Sequence, residues 1–256
     1  MKLGFKSIAI SDLGLQRDGN EDSALVSPRL VAVADGMGGH AAGEVASKVA
    51  IDLLAGLVGV LSDDDLDVDS REDLLLSATD QIDKELSRRS AENPEFSGMG
   101  TTLTALYLNG GDVELLHVGD SRCYLIKKNK VELLSHDHTV MQELLDQGRL
   151  SPDEVFNHPQ RALLTQVLMG DSGIHPMLLV REVKKGDRFL LCSDGLSSIL
   201  SESEINQIIK KKGDLVSDLL AAVKEAGAPD NVTIILSEVV EIDEASKLAK
   251  LGAANG

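Results

Sequence analysis

Residues 101–134 read TTLTALYLNGGDVELLHVGDSRCYLIKKNKVELL. From Thr101 to Leu108 the residues alternate as in a half-buried strand. Asn109-Gly110-Gly111 then supplies a turn. Val113–Val118, Arg122–Lys127 and Lys130–Leu134 continue as a meander. Nothing between these strands is long enough for the crossover helix that parallel pairing demands. The region is therefore expected to form antiparallel sheet, and a doubly wound parallel architecture fits less well.

Working toward the N-terminus, Ser70–Arg89 puts Leu74, Ala78, Ile82 and Leu86 on one helical stripe. Ala41–Leu61 does the same with Val45, Val49, Leu53 and Leu57. Lys6–Ser11 reads as a strand and Asp12–Asn20 as a polar loop. Ala24–Val26 and Leu30–Ala34 form a strand pair turned at Ser27-Pro28, and Asp35–Gly39 is a Gly-rich turn. Toward the C-terminus, residues 137–170 are a mixed segment with a helix at Val140–Gln147 and a break at His158-Pro159. Arg188–Cys192 and Asn231–Val240 are strands, Ser201–Lys211 and Leu215–Glu225 helices. Residues 241–256 read as a short polar helix or a frayed tail. The expected fold is α+β: one domain over residues 1–240, with two antiparallel sheets face to face and helix pairs outside.

Composition narrows the function. The 256 residues carry 25 Lys and Arg against 42 Asp and Glu, a formal charge of −17. Nucleic-acid binding needs cationic surface to displace counterions, so that class is excluded. Leu53–Ser62 is the longest apolar uncharged run, and a membrane span needs about 20 residues. The N-terminus lacks the apolar stretch of a signal peptide. Cys123 and Cys192 both lie in apolar runs and read as reduced core residues, in keeping with a cytoplasmic home. No Cys/His set has zinc spacing.

The informative residues are aspartates at strand ends. LVAVADG (30–36) ends on Asp35-Gly36 and FLLCSDG (189–195) on Asp194-Gly195. Asp120 sits at a hairpin corner, Asp230 directly precedes the strand VTIIL, and Glu21-Asp22 enters another strand. Any one Asp-Gly is most simply a turn; the set together points to a site on rigid supports. Gathered carboxylates repel one another and resist desolvation, a cost that a hard cation removes. Oxygen donors without His or Cys select Mg²⁺ or Mn²⁺, with Ca²⁺ also accommodated, over Zn²⁺. Two such ions about 3.5–4 Å apart can acidify a water and stabilise in-line displacement at phosphorus. Gly36 would let a backbone carbonyl approach the metal. Arg17 is either a surface arginine or, beside such a cluster, a fork for phosphate. Three other motifs fail. The run Asp63–Asp69 lacks the Gly and Glu of a calcium loop, residues 34–39 lack the Lys-Ser/Thr of a P-loop, and Ser193 and Ser197 do not form a nucleophile elbow.

Six segments in order, SDLGLQRDGNEDS (11–23), VADGMGGHAAGEVAS (33–47), GMGTTLTAL (98–106), HVGDSRCYL (117–125), LCSDGLSSIL (191–200) and APDNVTIIL (228–236), resemble the metal-dependent protein serine/threonine phosphatases of type 2C, the PPM family, in their bacterial form. The resemblance spans Lys6 to Val240. It implies a four-layer α-β-β-α sandwich with a variable flap near residues 137–170. It implies two Mn²⁺ or Mg²⁺ ions, bridged by Asp35, with the Gly36 carbonyl on the first and Asp194 and Asp230 on the second. Glu21 and Asp22 match the acidic pair that holds metal-bound waters, and Arg17 the arginine that grips phosphate. Asp120 with Asp194 matches a weaker third metal site. Animal members carry His two residues after the bridging Asp; here that position is Met37, and His40 is a nearby candidate for protonating the leaving group. The implied reaction is direct hydrolysis of phosphoserine or phosphothreonine by a metal-bridging hydroxide. The implied partners are phosphorylated proteins, including a Ser/Thr kinase and its substrates, and a monomer is expected. The competing class is an inactive relative serving as a binding scaffold. Such proteins usually lose a metal aspartate, and here every matching position is present.

Overall fold

Period-two alternation decides which side of each strand faces which layer. In the computed structural model, residues 2–38, 41–61, 66–128, 130–151, 154, 158, 163–171, 173–211, 213–242 and 248–255 are described. The elements run β1 (Lys2–Asp12), β2 (Asp22–Val26), β3 (Leu30–Met37), α1 (Ala41–Leu61), α2 (Val68–Glu92), β4 (Gly100–Thr101), β5 (Leu103–Asn109) and β6 (Asp112–Val118). They continue with β7 (Arg122–Lys127), β8 (Lys130–Leu133), α3 (Val140–Asp146), β9 (Met177–Glu182), β10 (Arg188–Cys192), α4 (Asp194–Ser197), α5 (Glu202–Ile209), α6 (Leu215–Glu225), β11 (Val232–Ile242) and β12 (Ala249–Gly252).

Among the described residues the strands form two antiparallel sheets. The first has the order β1-β11-β10-β7-β8, and the second β12-β2-β3-β5-β6-β9 with β4 beside β3. Three apolar clusters fill the spaces between four layers. Leu25, Ala32 and Ala34 face α1 and α2 on the outside of the second sheet, meeting Ala46, Leu54, Ile82 and Leu86. Val31, Val33, Leu106, Leu115, Phe189 and Ile235 pack between the sheets. Leu190, Cys192 and Ile234 meet Ile205, Leu219 and Val223 of α5 and α6 on the far side. The α-β-β-α sandwich expected from the sequence is thus present, and Cys123 and Cys192 are free and buried.

Helix starts follow their caps. The Asp67 carboxylate accepts the Ser70 N–H at 2.8 Å, so α2 begins at Val68 rather than at Ser70. Ser201 and Glu204 form a reciprocal capping box at the start of α5. Three expectations need correction. Strand β3 does not turn at Asp35; it runs on to Met37 because Gly36 and Met37 pair with Thr101 and Gly100. Strand β9, unread in the sequence, pairs along β6; its first three residues are half-buried and its last three exposed, so no alternation shows. Residues 249–252 are neither helix nor frayed tail but an edge strand on β2. It is held by a Lys250–Asp52 ion pair and followed by a 3-10 turn that buries Ala254 in the α1 cluster.

The inter-sheet layer changes character at one end. Val31 and Val33 share a face with Asp35, and Ala24 shares one with Asp22. Across the gap, Ile235 shares a face with Thr233 and Leu191 with Ser193. The apolar filling therefore gives way to carboxylates and hydroxyls where strands of both sheets end together.

Candidate metal centre

Asp22 and Asp35 lie directly opposite each other on β2 and β3. Asp22 is 1% exposed and accepts a hydrogen bond from Ser193 Oγ at 2.8 Å. Ser193 Oγ in turn accepts the Thr233 N–H at 3.0 Å within the first sheet, so the Ser193–Asp22 bond is the one that bridges the two sheets beneath the site. The backbone of Asp35 is gripped from both sides. Its N–H donates to Thr102 Oγ1 at 3.0 Å, and its carbonyl accepts from Thr101 Oγ1 at 3.0 Å and from the Thr102 N–H at 2.9 Å. This fixes the carboxylate to within the play of its own side chain.

Gly36 is glycine for a packing reason. A Cβ there would stand 2.1 Å from the Gly43 carbonyl oxygen and 2.6 Å from that of Glu21. The first turn of α1 and the strand thus touch backbone to backbone, and Glu21 is drawn in with them. At the other sheet, a Cβ on Gly195 would stand 1.9 Å from the Asn231 carbonyl oxygen, bringing the start of α4 with Asp194 against the start of β11. Asp230 accepts the Asn231 N–H at 2.8 Å through one oxygen and pairs with Arg17 Nη2 at 2.7 Å through the other. Asp120 follows a Gly119 with φ +104°, whose N–H donates to His138 Nδ1 at 3.1 Å.

Arg17, Glu21, Asp35, Gly36, Asp120, Asp194 and Asp230 line one cleft of about 260 Å³. Residues spread over more than two hundred positions of chain therefore meet at one rim of the sandwich. Asp22 lies one layer below the cleft wall, under Ser193 and beside Asp35. His40 is outside the described residues. Met37, Gly38, Thr102 and Leu164 complete the lining.

The sequence reading missed Asn231. Its amide donates to the carbonyls of Leu13 at 2.9 Å and Gly19 at 3.0 Å, and its oxygen accepts the Glu21 N–H at 2.8 Å. One side chain thus ties both ends of the loop carrying Arg17 to the strand after Asp230. Its only sequence signal is adjacency to Asp230, since an Asn before a strand is common in turns. His117 was also passed over. It is fully buried between the sheets, hydrogen-bonded to Thr104, and burial pushes its pKa down to about 3.

The electrostatics of the cleft are unfavourable as they stand. Burial, then the neighbouring carboxylates Asp22, Asp194, Asp120 and Asp230, hold Asp35 well above the usual carboxylate range. Burial and then Asp194 and Asp137 do the same for Asp120. Burial raises Asp22 to about 7, against the opposing hydrogen bonds of Thr233 and Ser193. Among the described residues no three of these groups close on one point at coordinating distance. Asp230 is held by Arg17. An all-oxygen donor set that is buried, over-charged and mounted on strand ends fits a hard divalent cation, which would remove the repulsion and supply the missing positive charge.

Comparisons with known proteins give the family. The family model for protein phosphatase 2C matches residues 20–237, and the chain belongs to that family. It is 42% identical over 246 residues to the serine/threonine protein phosphatase PstP of Mycobacterium tuberculosis, covering 94% of this chain and 46% of PstP, so the chain spans about half of that relative's length. It is 33% identical over 240 residues to the serine/threonine phosphatase stp of Listeria monocytogenes, covering 89% of this chain and 93% of that protein. Among solved structures, the PstP catalytic domain in complex with two manganese ions superposes with a TM-score of 0.84 at 38% identity, covering 93% of this chain and 100% of that one.

Proposed function

We propose that this chain is a metal-dependent phosphatase that hydrolyses phosphoserine and phosphothreonine in proteins with a pair of Mn²⁺ or Mg²⁺ ions. The observation that carries the reading is the convergence of Asp35, Asp120, Asp194 and Asp230 with Arg17 in one cleft. Bound there, divalent ions would lower the pKa of a water and neutralise charge on a phosphoryl group. Asp35, with the carbonyl of Gly36, would hold the ions from the second sheet, and Asp194 and Asp230 from the first. Asp120 would add a donor for a weaker third ion. Glu21 lines the cleft, and Asp22 beneath Asp35 orients the shell around the ions.

Arg17 would turn its guanidinium from Asp230 to two phosphoryl oxygens, the geometry in which a planar fork is strongest. Binding energy realised there grows as charge moves onto those oxygens in the transition state. Among the described residues, Ser193, the hydroxyl next to Asp194, is fully buried and spends its proton on Asp22, and Thr102, the hydroxyl of the cleft lining, accepts the Asp35 N–H and pairs with Ser121 Oγ. Hydrolysis is therefore direct, without a phosphoenzyme. Among the described residues no imidazole lines the cleft, so the leaving oxygen takes its proton from solvent or from His40.

The same proposal includes a single catalytic unit with residues 137–170 as flap, phosphoproteins as partners, among them a Ser/Thr kinase and its targets, a monomeric state and a cytoplasmic home. No helix among the described residues is long and apolar enough to cross a membrane. The test is hydrolysis of a phosphothreonine peptide under Mn²⁺ titration with an EDTA control, repeated with Asp35→Asn. Saturable Mn²⁺-dependent turnover that Asp35→Asn abolishes is expected. Equal turnover in EDTA, or by Asp35→Asn, would overturn the reading.

A further inference from the structure

The cleft has one wall that phosphate chemistry does not use. Of the side chains lining it, two are apolar, Met37 and Leu164. Both stand on hydrogen-bonded backbone. Met37 ends β3 and pairs with Gly100; the site where a Gly100 Cβ would stand is 3.4 Å from Met37 Cγ, so the side chain lies across that glycine. Leu164 bridges Thr139, while Leu168 and Thr101 exchange both backbone hydrogen bonds at 2.9 and 3.1 Å. The segment is anchored again where the Met169 and Gly170 N–H groups donate to the buried Asp83 carboxylate of α2 at 3.1 and 2.7 Å. The position of this wall is therefore built rather than incidental.

Met37 is 39% exposed and the adjoining Leu163 52% exposed. Arg17 lines the same cleft, tied to Asp230 beside the first sheet. A phosphorylated residue gripped between Arg17 and the carboxylate rim would leave the next stretch of its peptide against Met37 and Leu164. An acidic neighbour would meet a chain with a formal charge of −17 and the carboxylates of the cleft. An aliphatic neighbour would cover exposed apolar surface.

We propose that Met37 and Leu164 form an apolar shelf that selects phosphopeptides bearing an aliphatic residue beside the phosphorylated one. This deepens the phosphatase reading and rests on it. The shelf acts on peptide specificity and plays no part in bond cleavage.

The test compares kcat/KM for phosphothreonine peptides that differ only in the flanking residue, Leu, Ser or Glu, with p-nitrophenyl phosphate as a substrate that has no flank. Leu is expected over Ser by about 10-fold or more, the scale of an apolar side chain in a pocket. The Ser arm separates apolar contact from charge, and the Leu-to-Ser ratio should persist at about 1 M salt, where charge effects are screened. Met37→Ser and, separately, Leu164→Ser should each shrink the ratio severalfold, and because it is a ratio within one variant it does not depend on that variant's absolute rate. Turnover of p-nitrophenyl phosphate without any Leu-over-Ser preference in the wild type overturns the shelf and leaves the phosphatase reading standing. A preference unchanged in both variants also overturns the shelf. Failure to hydrolyse any of the substrates with Mn²⁺ overturns both readings.

Discussion

Replacing Asp22 by Asn should make the metal-free protein more stable and shrink the stabilisation that metal brings. Asp22 is 1% exposed, and burial raises its pKa from 3.8 to about 7. A carboxyl whose folded pKa lies above its unfolded value costs the folded state as pH rises between the two. That span of about 3 units, at 1.36 kcal/mol each, sets the cost near 4 kcal/mol above pH 7 and near zero below pH 4. Asn keeps the shape and an acceptor for Ser193 Oγ, and Thr233 can rotate its hydroxyl to receive the amide. It also removes the second-largest cause raising Asp35. In EDTA at pH 8 the variant should therefore melt higher, by about 10 °C if the whole cost is recovered. The gain should fade steadily as pH falls to 5. Metal narrows the difference. Ions at 100 times Kd stabilise by about 2.7 kcal/mol per site, and loss of a supporting carboxylate weakens metal affinity by about 10–100-fold. Thermal melts of both proteins at pH 5, 6.5 and 8, with EDTA or Mn²⁺, check this. A variant no more stable than the wild type at pH 8 in EDTA would refute the electrostatic account of the cleft.

Arg17→Ala should raise KM for phosphopeptides by about 10–100-fold with a smaller loss in kcat, as expected when a charge-assisted fork to the phosphate is removed. Steady-state kinetics test this, and an unchanged KM would show that Arg17 stays with Asp230. Asn231→Ala removes three hydrogen bonds that hold the ends of the Arg17 loop. It should cost about 2–4 kcal/mol in urea denaturation, since partners are left buried, and raise KM as well. Gly36→Ala places a methyl 2.1 Å from the Gly43 carbonyl. The strand must shift from α1, so a loss of more than about 2 kcal/mol is expected together with weakened Mn²⁺ binding by calorimetry.

The strands, helices and sandwich were legible because their signals are local. Alternation in 101–108 and the four-residue stripe of 41–61 need only near neighbours to be read. Strand β9 escaped because Met177–Val180 is a short apolar run with no alternation, the case in which periodicity cannot separate strand from buried coil. The last strand escaped because Ala249–Gly252 has no strand propensity of its own and forms only against β2, with Lys250 reaching Asp52. Asp35 was expected in a turn and stands in a strand for a related reason. The pairs that carry the strand past it, Gly36 with Thr101 and Met37 with Gly100, join residues 65 and 63 positions apart.

From its residues alone, this chain settles that acidic groups punctuate apolar strands, that acidic residues outnumber basic ones, and that the layers stack as a sandwich. Those are properties of composition and of periods two and 3.6, which every segment carries within itself. Only the folded molecule decides that Asp22 sinks below Asp35 while Asp120, Asp194 and Asp230 stay at the cleft, that Asn231 ties the Arg17 loop, and that Met37 faces the same space as Leu164. Depth, shared walls and hydrogen bonds across two hundred residues arise where strand ends from two sheets meet, and no local pattern encodes that meeting.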